Sequence, residues 1–169
     1  MRQDAKARPL TAGEVELARR MFADSIDYTL VRVHSKNYVP WQGGNYIITP
    51  NGEIYLGRNL RHYTDFSAAD LPAQGLFIHE MTHVWQYQQG IHVLLVGAIQ
   101  QIRHFLISNQ YAYTLEPGKT LASYNIEQQG DIVRDAFFGQ QGMPAPYPAS
   151  EYVATLGDIS RSSDDNYVA

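Results

Sequence analysis

The feature that most constrains this chain is the stretch Phe77-Ile78-His79-Glu80-Met81-Thr82-His83-Val84-Trp85-Gln86, which contains His-Glu-x-x-His. In an α-helix, residues four apart lie one above the other on the same face. A helix here therefore lets both imidazoles reach one metal ion. Glu80 follows the first histidine and points close to the same face, where it can serve as a base toward a water. The five residues alone also fit two surface histidines flanking a solvated glutamate. The metal reading needs a third ligand and a fold to hold it.

The flanks support a helix. Asp70-Leu71-Pro72 places an acidic cap and a first-turn proline at its start. Gly90 is suited to its C′ position. Ile78, Met81 and Trp85 lie on the face expected to be buried, while His79, His83 and Gln86 share another. One apolar and one metal-capable stripe is the pattern of a site built into a core.

The chain has no cysteine, so a zinc site here must use histidine and carboxylate. A three-histidine site is rejected. Gln86 occupies the place of the required glycine, Gln89 the place of the third histidine, and His92 comes three residues too late. His34 and His62 have no spacing that makes them ligands. A helix predicted from Ala122 or Ser123 to about Phe138 contains Glu127-Gln128-Gln129-Gly130-Asp131. There Glu127 and Asp131 sit one turn apart, with Ile126, Ile132 and Val133 turned inward. Glu127 completes a His79/His83/Glu127 zinc site and leaves the fourth position open. Asp131 can accept the free N–H of a ligating imidazole and fix its tautomer. Taken alone, Glu127 and Asp131 would read as an ordinary solvated pair.

The rest of the chain predicts an α+β fold, mainly helical, with a short antiparallel sheet before the histidine helix. Thr11-Ala12-Gly13-Glu14 is a capping box, opening a helix to about Asp24 with Val15, Ala18, Met21 and Phe22 at helical spacing. Strands are expected at Tyr28–His34, Asn45–Thr49 and Glu53–Leu56, the last two joined by a Pro50-Asn51-Gly52 turn. One of these strands is expected at an edge, available for strand addition by extended substrate. Gly57–Leu71 reads as a loop and Ile91–Ile107, carrying His92 and His104, as a buried helix. Tyr111–Leu121 reads as a hairpin or ordered loop around Pro117-Gly118. Gly139–Ser150 is an irregular connector and Glu151–Leu156 a short last helix. With 169 residues the chain is one domain, residues 140–169 forming a Pro- and Gly-containing tail.

Composition removes several classes. A net charge of −4 makes no case for nucleic-acid binding. Arg2, Lys6 and Arg8 read as a solvated arm. Val93–Ile99 is too short to span a bilayer, and Met1–Leu10 has no apolar run that would make a secretory signal. Delivery outside the producing cell would need another carrier.

His79-Glu80-Met81-Thr82-His83-Val84-Trp85-Gln86, followed by Glu127-Gln128-Gln129 in a helix, resembles the zincin domain found as a C-terminal extension of type VI secretion spike proteins of the VgrG kind. The resemblance runs from the first helix to the Glu127 helix and does not extend beyond about Gly139. It implies a small zincin-like fold and a zinc metallopeptidase effector with His79, His83 and Glu127 as ligands and Glu80 as general base. It further implies toxicity in the periplasm of a target bacterium, a cognate immunity protein in the producer, and a spike and needle that are not among these residues. Tyr111, Tyr113, Tyr124 and His104 are open candidates for an oxyanion donor. The alternatives are a zinc hydrolase of cell-wall peptide, or a spike-tip adaptor in which zinc only staples two helices. Glu80 argues against the adaptor, because a structural site has no use for that base.

Overall fold

The computed structural model describes residues 7–91, 113–157 and 159. The expected 91–107 helix, with His92 and His104, lies outside the described residues beyond Ile91, as do Tyr111, Arg2, Lys6 and the polar stretch from residue 160.

Helix α1 spans Ala12–Phe22 and starts with the expected capping box. Glu14 does more than cap. It is fully buried, takes both guanidinium nitrogens of Arg8 at 2.7 and 2.8 Å, and accepts the backbone N–H of Thr11 at 2.9 Å and of Phe66 at 3.0 Å. Arg8 is therefore an ion-pair partner, not part of a free arm. It lies in the short strand β1 (Arg8–Pro9). One carboxylate thus ties the N-terminal segment, α1 and the 65–68 turn together. Glu14→Ala leaves the buried Phe66 N–H and the half-buried Thr11 N–H without this acceptor and should cost about 3 kcal/mol. A lowered urea midpoint with an unchanged denaturant slope is the expected readout.

The sheet is smaller than its sequence pattern and is mixed. Strands β2 (Arg32–His34), β3 (Ile47–Ile48) and β4 (Ile54–Leu56) join β1 in the order β1-β2-β4-β3. The β1–β2 and β3–β4 pairs are antiparallel, but β2 and β4 run parallel, with Val33 opposite Ile54 and His34 opposite Tyr55. This corrects the wholly antiparallel expectation. The chain leaves β2, passes across to the outer position of β3, and returns through the Gly52 turn (φ 75°) to fill the gap as β4. Gln42 holds that crossing in shape: its side chain accepts Tyr38 N–H at 2.8 Å and donates to Tyr46 O and Tyr55 O, both at 2.9 Å.

The expected strand from Tyr28 begins only at Arg32. Asp27 accepts from both the backbone N–H and the hydroxyl of Thr29, and a 3-10 turn over Tyr28–Leu30 results. Local side-chain bonding has displaced β propensity there.

Helix α2 spans Leu71–Gln88, with Asp70 as N-cap, proline in the first turn and Gly90 just past the end at φ 79°. Its residues from Phe77 to Val84 are all buried. Ile78 and Met81 enter the core as expected, whereas Trp85 is only partly buried. Helix α3 spans Ile126–Gln140, and its interface with α2 is the largest between any two elements. The helix begins later than expected. Asn125 is the N-cap, with Gln128 returning the bond, and Leu121–Ser123 is a separate 3-10 turn. The Asn-x-x-Gln pattern is a capping box legible in the sequence. Helix α4 (Ala149–Leu156) packs on α3. Tyr152 and Ile159 belong to the same hydrophobic cluster as Leu10, Phe22, Ile54 and Phe77, so the tail to Ile159 is part of the one core.

Candidate metal centre

The polar stripe of α2 does not face water. It faces α3, and the first turn of α3 brings Glu127 onto it. His79 Nε2 and His83 Nε2 are 3.2 Å apart. Glu127 Oε2 lies 3.4 Å from the first and 3.6 Å from the second. An ion with tetrahedral angles and bonds of about 2.05 Å requires ligand atoms about 3.35 Å apart. The three atoms therefore stand at the spacing that such an ion needs, with one position left over. Among the described residues these three make up the metal-capable group.

Each ligand is aimed by the element that carries it. The two histidines are one turn apart, their rings close to perpendicular at 78°. Glu127 is presented by the Asn125 cap, which accepts the Glu127 N–H at 3.1 Å and the Gln128 N–H at 2.9 Å. An acidic side chain in a first helical turn also faces the positive end of the helix dipole.

The other ring nitrogens have partners that fix the tautomers. His79 Nδ1 lies 3.1 Å from Asp131 Oδ1, as expected from the sequence. Arg134 Nη1 donates to the same oxygen at 2.5 Å and is braced in turn by Asp135. His83 Nδ1 lies 2.9 Å from Gln86 Oε1. With both Nδ1 atoms engaged, both Nε2 atoms point at the Glu127 carboxylate and, in the neutral rings, offer their lone pairs there. Three lone-pair donors at this spacing suit a cation.

The electrostatics agree with that donor set. Burial disfavours a charged His79, but hydrogen bonds to Asp131 and Glu127, with the charge of Glu80, outweigh it and push its pKa up to about 10. His83 is also pushed up: burial opposes, and the charge and hydrogen bond of Glu127 prevail. Burial would raise Glu127, yet the two imidazoles hold it well below the usual carboxylate range. The pocket attracts positive charge.

Glu80 is buried and accepts the Thr49 hydroxyl at 2.7 Å on Oε2. Thr49 follows β3, one of the two edge strands of the described sheet. No sequence signal marks Thr49, because its contact with Glu80 is made only by the fold. Gly130 has no Cβ where one would lie 2.6 to 2.9 Å from three atoms of the His79 ring. The glycine is visible in the sequence, but its reason is not.

The other candidates are engaged elsewhere. His34 Nε2 is 2.8 Å from Glu53 and its ring stacks on Tyr55 at 4.2 Å. His62 is exposed against Tyr63. Tyr113 donates to Asp135 at 2.7 Å and lies 2.7 Å from the Tyr152 hydroxyl. Tyr124 donates to Thr114 O and accepts the Glu116 N–H, both at 3.1 Å. Both tyrosine hydroxyls are thus committed to other partners.

The fold places the chain in a known class: it is a member of the family of VgrG effector domains of type VI secretion. It is 52% identical to the solved effector domain of Pseudomonas aeruginosa VgrG2b, with a TM-score of 0.76 over 93% of this chain and 86% of that one. Over 135 residues, 79% of its length, it is 63% identical to the type VI secretion system spike protein VgrG2b of Pseudomonas aeruginosa, and that match spans 13% of the spike protein. No protein-family model matches the chain. No described helix is long and apolar enough to cross a membrane.

Proposed function

We propose that this domain is a zinc-dependent hydrolase of peptide bonds, carried by a type VI secretion spike and toxic in the periplasm of a target bacterium. The observation that carries the reading is the triangle of His79 Nε2, His83 Nε2 and Glu127 Oε2, with sides of 3.2, 3.4 and 3.6 Å, beside a buried Glu80. A structural zinc site closes with four protein ligands, whereas a catalytic one keeps three and an open position. Among the described residues the set numbers three, which favours the second kind.

His79, His83 and Glu127 would hold zinc, which when bound would supply Lewis acidity toward a water and a substrate carbonyl. Glu80 takes the proton of the attacking water and passes it to the leaving amine. The Thr49 hydroxyl holds Oε2 and so leaves Oε1 to carry the proton. An extended peptide added to β3 would run past Thr49 and reach Glu80, and on this reading β3 is the edge that takes substrate by strand addition. The spike as carrier, and an immunity protein in the producer, belong to the same proposal.

The test starts with metal. Purified protein should hold one zinc per chain and cleave an unstructured protein or peptide substrate. Chelation should stop cleavage and lower the melting temperature by about 5–10 °C, as expected for loss of a ligand present at ~100-fold its Kd. A chain that binds no zinc, or cleaves equally well after chelation, would end this reading. Cleavage of cell-wall peptide but not of protein would keep the chemistry and change the substrate.

A further inference from the structure

The two histidines of the site are oriented by different means. His79 has a carboxylate, Asp131. His83 has an amide, and that amide belongs to a buried chain of hydrogen bonds whose direction can be deduced. Gln129 Nε2 donates to Tyr124 O at 2.8 Å. A backbone carbonyl can only accept, so the Gln129 amide presents its oxygen to the other side. Gln86 Nε2 donates to that oxygen at 2.8 Å and to the Ile126 carbonyl at 3.0 Å. With two acceptors facing its nitrogen, Gln86 must present Oε1 to His83 Nδ1 at 2.9 Å. The side-chain amides of glutamines are often ambiguous, but here two carbonyls anchor the order. His83 Nδ1 must then carry hydrogen, and in the neutral ring Nε2 is the free lone pair.

We propose that Gln86, backed by Gln129, is a positioning residue that locks His83 in the Nδ1–H tautomer and sets its distance from Glu127. The inference rests on the metal-dependent reading above. Gln86 is fully buried and Gln129 nearly so, at 0% and 4% exposure, so neither amide can exchange its bonds for water. The bond to Ile126 O reaches the residue before Glu127, so Gln86 also ties the second histidine to the turn that carries the carboxylate ligand. A neutral acceptor suits this place. Glu80, Glu127 and Asp131 already put three carboxyl groups around the two imidazoles, and an amide orients His83 without adding a fourth.

The experiment compares wild type, Gln86→Met and Gln86→Glu as folded, zinc-loaded proteins with ¹⁵N-labelled histidine. The imidazole N–H protons are observed by NMR, and zinc affinity is measured by competition with a chelating dye. Wild type should show two slowly exchanging Nδ1–H protons from His79 and His83. Gln86→Met should lose protection of the His83 proton only, and bind zinc roughly 10–100-fold more weakly. Gln86→Glu keeps the acceptor toward His83 but gives up both donors to Ile126 O and Gln129 Oε1, so the His83 proton should persist, shifted further downfield by the charged partner, whatever zinc affinity is lost with those donors. Should Gln86→Met fail to fold, Gln86→Glu decides alone: loss of its His83 proton would overturn the inference, and its retention would support it. Equal zinc affinity in wild type and Gln86→Met would overturn it and leave the hydrolase standing. Wild type without zinc would remove both.

Discussion

Glu80→Gln is expected to keep zinc and lose hydrolysis by a factor on the order of 10²–10⁴, the range a positioned general base supplies. The substitution is nearly isosteric, and the Thr49 hydroxyl that now donates to Oε2 at 2.7 Å can donate equally to an amide oxygen. His79, His83 and Glu127 hold one another's positions without Glu80, so the ligand triangle should survive. What disappears is the oxygen that receives the water proton. Zinc per chain should therefore equal that of wild type, while cleavage falls. In a bacterium, only wild type carrying an export signal should kill, and Glu80→Gln should be harmless with or without it. His83→Ala should lose both zinc and killing. Full toxicity of the Gln variant would sink the hydrolase account, because a binding module needs no base.

The second large effect comes from a single methyl group. Gly130→Ala puts a Cβ 2.6 Å from His79 Cε1, 2.8 Å from Nδ1 and 2.9 Å from Nε2. Real contacts of this kind essentially never occur, so the ring or the helix must move. The ring cannot yield easily, since it is buried and tethered to Asp131 on one side and stands against His83 on the other. Moving α3 away from α2 would in turn undo the close packing of the Phe138 ring against Gly75 in the same interface. Overpacking of this sort costs about 1–3 kcal/mol. The larger consequence is displacement of one ligand nitrogen by a fraction of its bond length. Zinc affinity should fall by up to about 100-fold, in keeping with loss of ligand orientation, while circular dichroism retains a helical spectrum. Chelator competition measures the first and thermal unfolding the second. Wild-type zinc affinity in Gly130→Ala would show that the two helices can separate freely at the site.

How far the site could be read in advance depended on the range of the interaction. His79 and His83 are paired by helical periodicity alone, and the caps at Thr11, Asp70 and Gly90 are local chemistry, so all of these were legible. Glu127 was legible as a carboxylate one turn from Asp131 on an inward-packed helix, and the structure brings both onto the histidines. The start of α3 was misplaced although Asn125-x-x-Gln128 announces it. The strand from Tyr28 was overextended because Asp27 captures the backbone first.

What the sequence determined by itself was therefore the stripe: which side chains share a face of α2, and that they are of metal-binding types. Helix geometry fixes these within a few residues. What only the tertiary structure decided was what covers the stripe. The parallel pairing of β2 with β4, the approach of Thr49 to Glu80, the contact of Gly130 with His79 and the amide chain from Tyr124 to His83 all join segments distant in sequence. Periodicity specifies which face of an element is buried, but the partner of that face is settled by how the whole chain packs.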